Sequence, residues 1–317
     1  MTPHPASRID PRRQGLSIVI PAYNEEGGIR AVLDSLFARI GQLGIEGPWE
    51  VIVVNDGSLD RTAEQVAEFA ETVADYWDDE KQAEDRLILV HHDENRGYGA
   101  SLKTGVRTSR YPWILITDAD GTYPDAAVAD LLEHGDENEM VVGARIGAIS
   151  NIPLIRRPPK WVLRKFASYL ARRDIPDLNS GLRLMRKDVI ERFIHLLPNG
   201  FSFTTTITLA TLSEGMRVKY VEIDYLKRTG SSKIRPIYDT LNFVQLIVRT
   251  IMYFDPLRIF LPAAATFMLG SVAVGVGSHL LLDKMLDTTT MLLFVTGVQV
   301  LAIGMLADAI NKRFRNR

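Results

Sequence analysis

No cysteine occurs among the 317 residues, so disulfides, thiolate metal sites and cysteine nucleophiles are all excluded. An excess of either charge is missing too. Lys and Arg number 37 against 39 Asp and Glu, a net charge of -2, which argues against the broad basic surface of a general nucleic-acid binder. Any basic patch is therefore local. Neither Gly-x-Gly-x-x-Gly after the first apolar run nor Gly-x4-Gly-Lys-Ser/Thr anywhere is present, which disfavours a dinucleotide fold and a P-loop. The N-terminal MTPHPASRIDPRRQG has Arg and Pro but no apolar core, so it does not read as a signal peptide, and the residues after it are expected to stay in the cytoplasm.

Charge is absent altogether from two stretches near the end of the chain. Ile259 to Leu282 and Thr288 to Ala307 contain no Asp, Glu, Lys or Arg, and only Asp283-Lys-Met-Leu-Asp287 separates them. At about 1.5 Å per residue each is long enough to cross a hydrocarbon core of roughly 30 Å. The expectation is a transmembrane hairpin over residues 258–311. Arg249 and Arg258 precede it and Lys312, Arg313, Arg315 and Arg317 follow it, whereas the connection has only Lys284, so both termini are expected in the cytoplasm. Within 233–257, the segment Pro236 to Phe254 puts Asp239, Asn242, Gln245, Arg249 and Thr250 on one helical face, a pattern suited to a helix lying in the membrane interface. The remaining divisions are a tail over 1–15, a soluble domain over 16–232 and a basic tail over 312–317.

The soluble part alternates short apolar β-branched runs with helical patterns. Leu16 to Ile20, ended by Pro21, is followed by Asn24, which can cap a helix from Glu25 to about Ile40. Glu50 to Val54 leads through Asn55-Asp-Gly-Ser58 into a helix from about Asp60 to Ala74. Arg86 to Val90, a helix from Gly99 to Thr108, and Trp113 to Thr117 continue the alternation, while Asp75 to Asp85 reads as a solvated charged loop. Successive βα units imply an α/β fold, a mostly parallel sheet with helices on both faces. Ligands bind such sheets at the carboxyl ends of the strands, where Tyr23, Asp56, Arg96 and Asp118 fall.

Asp118-Ala119-Asp120 stands directly after a buried run, and two carboxylates there can share a hard cation, Mg²⁺ or Mn²⁺, with a nucleotide diphosphate. Asp-rich turns are common in other roles, so the triplet gains weight only from its company. Pro21-Ala-Tyr-Asn-Glu-Glu26 closes the first strand, and Tyr23 can stack on a base while Glu25 or Asp56 accepts its N–H donors or ribose hydroxyls. Asn95-Arg-Gly-Tyr-Gly99, with Arg96 and Gly97, opens a helix whose first amides could hold a phosphate.

Taken in order and spacing, PAYNEE, VVNDGS, NRGYGAS, DADGTYP, VVGAR, DLNSGLR and RTGSSK resemble the family 2 inverting glycosyltransferases of the polyprenyl-phosphate type, the dolichol-phosphate mannose synthase and bacterial GtrB-like enzymes. The resemblance runs from Leu16 to the C-terminus. It implies a GT-A fold that moves a sugar from a nucleotide diphosphate to a polyprenyl phosphate at the cytoplasmic membrane face. Carried over by position, Pro21, Tyr23, Glu25, Asp56, Arg96, Gly97 and Asp118 would hold the nucleotide, and Asp118 and Asp120 the metal. Arg145, Ser180, Arg183, Arg228, Ser232 and Lys233 would recognise phosphate, with Asp118, Asp120, Arg183, Arg228 and Lys233 as the catalytic set. Asp177 would orient Arg183 or face the sugar. Mannose synthases commonly have Gln where this chain has Thr122, which leaves the metal's ligand set open.

Physical chemistry agrees with that assignment. A phosphate monoester has its second pKa near about 6, so the acceptor is largely ionised at neutral pH and needs no strong general base. Bringing two anions together is the harder problem, since unit charges about 4 Å apart repel by roughly 4 kcal/mol at an effective dielectric near 20. Arg145, Arg183, Arg228 and Lys233 supply opposite charge. Phe201 and Phe203 could meet lipid or sugar, or pack in the core. UDP-glucose is the favoured donor, with GDP-mannose and UDP-linked amino sugars or uronic acids behind it, and self-association through the membrane helices is open. Two other functions compete: a processive polysaccharide synthase, which normally has Gln-x-x-Arg-Trp and more membrane helices, and a non-catalytic scaffold that binds the lipid carrier.

Overall fold

The structure, a computed structural model, describes residues 10–74, 86–124, 126–145, 165–169, 171–224, 236–281 and 287–315. After a one-turn helix α1 (Pro11–Gln14), the chain runs β1 (Leu16–Ala22), α2 (Ile29–Ile40), β2 (Trp49–Asn55), α3 (Thr62–Ala74), β3 (Leu87–His91), α4 (Tyr98–Thr108), β4 (Trp113–Ile116) and α5 (Ala126–Glu133). Then come β5 (Met140–Ala144), β6 (Arg183–Arg186), α6 (Lys187–Phe193), α7 (Phe203–Ser213) and β7 (Val218–Glu222). The seven strands form one sheet in the order β3-β2-β1-β4-β6-β5-β7. β1 to β4 are parallel, β6 runs antiparallel between β4 and β5, and β7 is parallel to β5.

The central strands are continuous apolar runs because both of their faces are covered. Along β1, Ile18 and Ile20 pack with Val51 and Val53 of β2 under Leu33 and Leu36 of α2 and Phe69 of α3. Val19 points the other way, to Leu102 and Val106 of α4 and, through Ile114 and Ile116 of β4, to Phe203 and Ile207 of α7. This period-two division of neighbours between two cores is what the pleat requires. Helix α4 approaches so closely that a Cβ on Gly105 would stand 2.3 Å from Cγ1 of Val19.

Two boundaries depart from the sequence reading. β1 continues through Pro21 to Ala22, since its ladder with β4 stops at Val19 and a missing N–H is tolerated where only β2 remains alongside. Asn24 does not cap a helix from Glu25. It takes a left-handed conformation at φ 54°, its side chain accepts from the Leu59 amide at 2.8 Å, and α2 starts only at Ile29.

Beyond the sheet lie α8 (Pro236–Phe254), α9 (Leu257–Leu281) and α10 (Asp287–Arg315). Ile247 and Ile251 of α8 are buried against Leu209 and Leu212 of α7, while Met252 and Tyr253 are exposed. Helices α9 and α10 are long and apolar enough to cross a membrane, each with mean hydropathy 2.0. They meet at small residues: a Cβ on Gly304 would stand 2.4 Å from Cβ of Phe260, one on Gly297 2.8 Å from Cγ of Met268, and Ser271 donates to the Thr290 carbonyl at 2.7 Å.

The Gly105 contact yields a stability prediction. Gly105→Ala forces α4 away from β1 and is expected to cost about 1–3 kcal/mol, as overpacking does. Thermal unfolding of the full chain in detergent would read it as a lower Tm, and an unchanged Tm would show that the interface can yield.

Candidate active site

The loops after β1 and β2 are stitched together at the carboxyl edge of the sheet. The Glu25 amide donates to Oγ1 of Thr62 at 2.9 Å, that of Asn24 to Oγ of Ser58 at 3.0 Å and that of Glu26 to Asp60 at 3.1 Å. Returning, the Arg61 amide donates to the Glu26 carboxylate at 3.0 Å. Asp60 also accepts from the Thr62 amide at the start of α3, an N-cap in function. Tyr23 is left 43% exposed, while Pro21 and Glu25 are half-buried beside it.

Asp56 follows β2 and is 3% exposed. Its Oδ1 takes the Nδ1 side of His92 at 2.6 Å and the Arg96 amide at 3.0 Å, and its Oδ2 takes the Gly97 amide at 2.8 Å. Burial pushes the carboxyl up, but the His92 contact and the two amides outweigh burial and hold it below the usual carboxylate range. His92 is anchored in turn by Thr104 at 2.9 Å. The sequence reading did not single out His92; its position one residue after β3, in step with Asp56 after β2, was the available signal.

Four amides at the start of α4, where a phosphate was expected, are engaged within the protein. Those of Arg96 and Gly97 serve Asp56, that of Ala100 donates to the Asn199 carbonyl at 3.0 Å, and that of Ser101 to the Gly97 carbonyl at 3.1 Å. The Asn199 loop before α7 thus lies against the start of α4. Arg96 keeps its side chain exposed.

Asp118 and Asp120 are half-buried in the turn after β4. Tyr98 donates its hydroxyl to Oδ1 of Asp118 at 3.1 Å, and Gly181 lies so near that a Cβ there would be 2.6 Å from Oδ2. The Gly181 amide donates to the Tyr123 hydroxyl at 2.7 Å. Burial, then the charge of Asp118, pushes both tyrosines well above the ordinary phenol range, so they remain neutral. Thr122 donates to Oδ1 of Asp120 through its hydroxyl at 2.7 Å and its amide at 3.2 Å, which fixes that carboxylate. Among the described residues no group of three or more His, Cys, Asp or Glu could hold a metal ion. Asp118 and Asp120 would offer a cation two carboxylates, a set that suits a hard ion such as Mg²⁺ or Mn²⁺ that keeps waters and shares substrate phosphates.

Arg145 follows β5 and forms a fork with Asp177, Nε at 2.7 Å and Nη2 at 3.0 Å, and its amide adds a third bond at 3.2 Å. Burial raises the Asp177 carboxyl, yet the Arg145 fork outweighs burial and holds it low. Asp177 therefore orients Arg145 and not Arg183, a correction. Arg183 is fully buried on β6: Nε donates to the Ser180 carbonyl at 2.7 Å, Nη2 to that of Leu178 at 3.1 Å, and Nη1 to Oγ1 of Thr208 at 2.6 Å. Its guanidinium ends on the backbone of the 178–180 turn, and Ser180 is buried with it, so neither presents itself to a phosphate in this conformation. Phe203 is core, whereas Phe201 is 80% exposed and stacks on Tyr98. Arg228, Ser232 and Lys233 lie outside the described residues.

A parallel half-sheet with looped carboxyl ends, closed by an antiparallel strand and bearing an Asp-x-Asp turn after β4, defines the GT-A class of fold. Residues 17–194 match glycosyl transferase family 2 and residues 255–312 match the GtrB C-terminal hairpin; the chain belongs to glycosyl transferase family 2. The undecaprenyl-phosphate 4-deoxy-4-formamido-L-arabinose transferase of Pectobacterium carotovorum is 25% identical to it, over 94% of this chain and 89% of that protein. The dolichyl-phosphate beta-glucosyltransferase of Dictyostelium discoideum is 25% identical, over 74% of this chain and 73% of that protein. Glucosyl-3-phosphoglycerate synthase from Mycobacterium tuberculosis, solved with Mn²⁺, UDP and glucosyl-3-phosphoglycerate, shares the fold at TM-score 0.52 and 16% identity, covering 77% of this chain and 80% of that one.

The three depressed carboxyls, Asp56, Asp60 and Asp177, give the pH dependence of stability its sign. Such a group contributes stability that is fully present above its unfolded pKa, about 3.9, and is lost as pH falls through the lower folded value. The Tm of the chain is expected to be insensitive to these groups above roughly pH 5 and to fall below it. Asp177→Asn should flatten part of the acid limb; a Tm that declines only above pH 6 would contradict the assignment.

Proposed function

We propose that the chain transfers a sugar with inversion from a nucleotide-diphosphate sugar, UDP-glucose first and GDP-mannose next, to a polyprenyl phosphate at the cytoplasmic membrane face. The observation that carries this reading is the union, in one chain, of the Asp-x-Asp turn after β4 with an apolar helix pair that matches the GtrB hairpin. Relatives named for undecaprenyl and dolichyl phosphate acceptors support the acceptor class.

In the proposed reaction an acceptor phosphate oxygen forms a bond to the anomeric carbon on the face opposite the leaving group. The bond from that carbon to the diphosphate breaks, and the nucleoside diphosphate departs with the electron pair. No proton has to be removed, because the acceptor monoester is already ionised near neutral pH. Tyr23 and Glu25 hold the base and ribose on the rim, and Asp56 keeps the Arg96–Gly97 loop against them. Asp118 and Asp120 would hold a divalent cation, which supplies neutralisation of the leaving diphosphate. Arg145, aligned by Asp177, and Arg228, Ser232 and Lys233 are assigned to the acceptor phosphate, and Arg183 shapes that side through the 178–180 backbone. Helix α8 lies at the interface, and α9 and α10 span the bilayer with both ends cytoplasmic. That arrangement keeps the site at headgroup level, where the acceptor's phosphate resides.

The test is transfer of radiolabel from a panel of UDP- and GDP-sugars into organic-extractable lipid, using membranes, Mg²⁺ or Mn²⁺, and added polyprenyl phosphate. Label from one donor is expected, with at least a hundredfold loss in Asp120→Ala (about 3 kcal/mol of transition-state stabilisation). No label from any donor, with folded protein and a working positive control, would turn the assignment toward a non-catalytic carrier-binding role.

A further inference from the structure

Tyr98 has no task in the reaction proposed above, yet it stands at its centre. Its hydroxyl donates to Oδ1 of Asp118, and its ring stacks on Phe201 with centroids 5.8 Å apart and planes 15° from parallel. Its backbone is fixed on both sides. The Arg96 and Gly97 amides are tied to Asp56, the Ala100 amide to the Asn199 carbonyl, and Lys103 donates from Nζ to Oδ1 of Asn199 at 2.8 Å. The Asn199 loop reaches α4 only because glycines leave room: a Cβ would lie 2.6 Å from the Asn199 carbonyl oxygen at Gly97, and 2.2 Å from that of Pro198 at Gly99. Across the site, a Cβ on Gly181 would lie 2.7 Å from Oδ1 and 2.6 Å from Oδ2 of Asp118. The carboxylate is thus wedged between a phenol and a stretch of bare backbone.

We propose that Tyr98 is a positioning residue whose hydroxyl, held by the Phe201 stack, sets the orientation in which Asp118 meets the donor's diphosphate and its divalent cation. A neutral donor suits this task, since it orients the carboxylate without cancelling the charge that a cation needs. Fixing the group beforehand removes the cost of ordering it when the donor binds. The proposal rests on the transferase reading.

The experiment uses the full-length protein in detergent, with Mn²⁺ and UDP as probes. Free Mn²⁺ is followed by electron paramagnetic resonance and UDP binding by calorimetry. Tyr98→Phe keeps the ring and its stack and removes only the donor. Mn²⁺ affinity in the presence of UDP, and the KM for the sugar donor, are expected to weaken about tenfold, the scale of a lost hydrogen bond to a charged group. The KM for polyprenyl phosphate and the Tm should stay at wild-type values. Gly181→Ala, which drives a methyl group into the carboxylate, should shift Mn²⁺ and UDP binding in the same direction and further. Tyr98→Phe that binds Mn²⁺ and UDP as wild type does would overturn the role, as would a variant that loses Tm and both substrates together. Wild-type protein that binds neither probe and forms no lipid-linked sugar would instead sink the transferase reading, and the proposal with it.

Discussion

The carboxylate of Asp56 is taken out of water at the end of β2 and must find its hydrogen bonds inside the protein, a demand that organises the whole donor side. It is met by the His92 ring after β3 and by two successive amides before α4. The β2–α3 and β3–α4 connections are thereby held in one place. The backbone follows: Gly57 takes φ 68° in the turn after β2, and a Cβ on it would stand 2.6 Å from the Glu94 carbonyl carbon. The loop before α4 consequently lies on the β2 turn, and Tyr98 emerges next to Asp118. A charge that could have served only to touch a ligand also serves to assemble the site that touches it.

On the opposite side a buried cation performs the complementary task. Arg183 cannot lose its proton, so its donors must be satisfied where it is buried. Two backbone carbonyls and a threonine hydroxyl satisfy them, and the 178–180 turn is drawn over β6 as a result. Gly181 follows at once and lies against Asp118. Removing a partner from a buried charge is costly, so each of these contacts constrains geometry more than its net energy suggests.

The first four strands and the three helices between them were legible because β1, β2 and β4 are buried on both faces, β3 is a short β-branched run at the edge, and the helices show a 3.6-residue period. The other half of the sheet was not. β5, β6 and β7 have four or five residues each, and β6 contains Arg183 and ends at Arg186, so no apolar run announces it. The Asp-x-Asp turn was readable only in company: Asp-rich turns have other uses, and the PAYNEE and VVNDGS segments closing the first two strands gave it weight. The tasks of Arg183 and Asp177 were not readable, because a cation directed at a phosphate and one directed at a carbonyl look alike as letters. Tyr98 was hidden for a related reason: its contact with Asp118 spans two strand ends, and its stack on Phe201 joins residues far apart in the chain. The α9–α10 pair, by contrast, declared itself through composition alone.

The proposed transfer to a lipid-borne phosphate would require that the site keep a constant height over the bilayer, and the packing between the hairpin and the sheet domain suits that requirement. The last carbonyls of any helix lack partners within it. At the end of α8, the carbonyls of Met252 and Tyr253 accept from the side-chain amide of Asn311, near the end of α10, at 3.1 and 2.8 Å. The same helix α8 buries Ile247 and Ile251 against α7. Helix α7 in turn holds the site, with Thr208 accepting from Arg183 and Thr205 donating to Asn179 at 2.7 Å. A series of packed elements thus runs from the hairpin through α8 and α7 to the 178–180 turn, whose neighbour Gly181 lies against Asp118. With the hairpin in a bilayer as proposed, α8 is pinned to it at one end and to the catalytic domain along one face. A lipid phosphate at headgroup level would then approach the donor from one fixed direction, as the proposed inverting displacement at a single carbon demands.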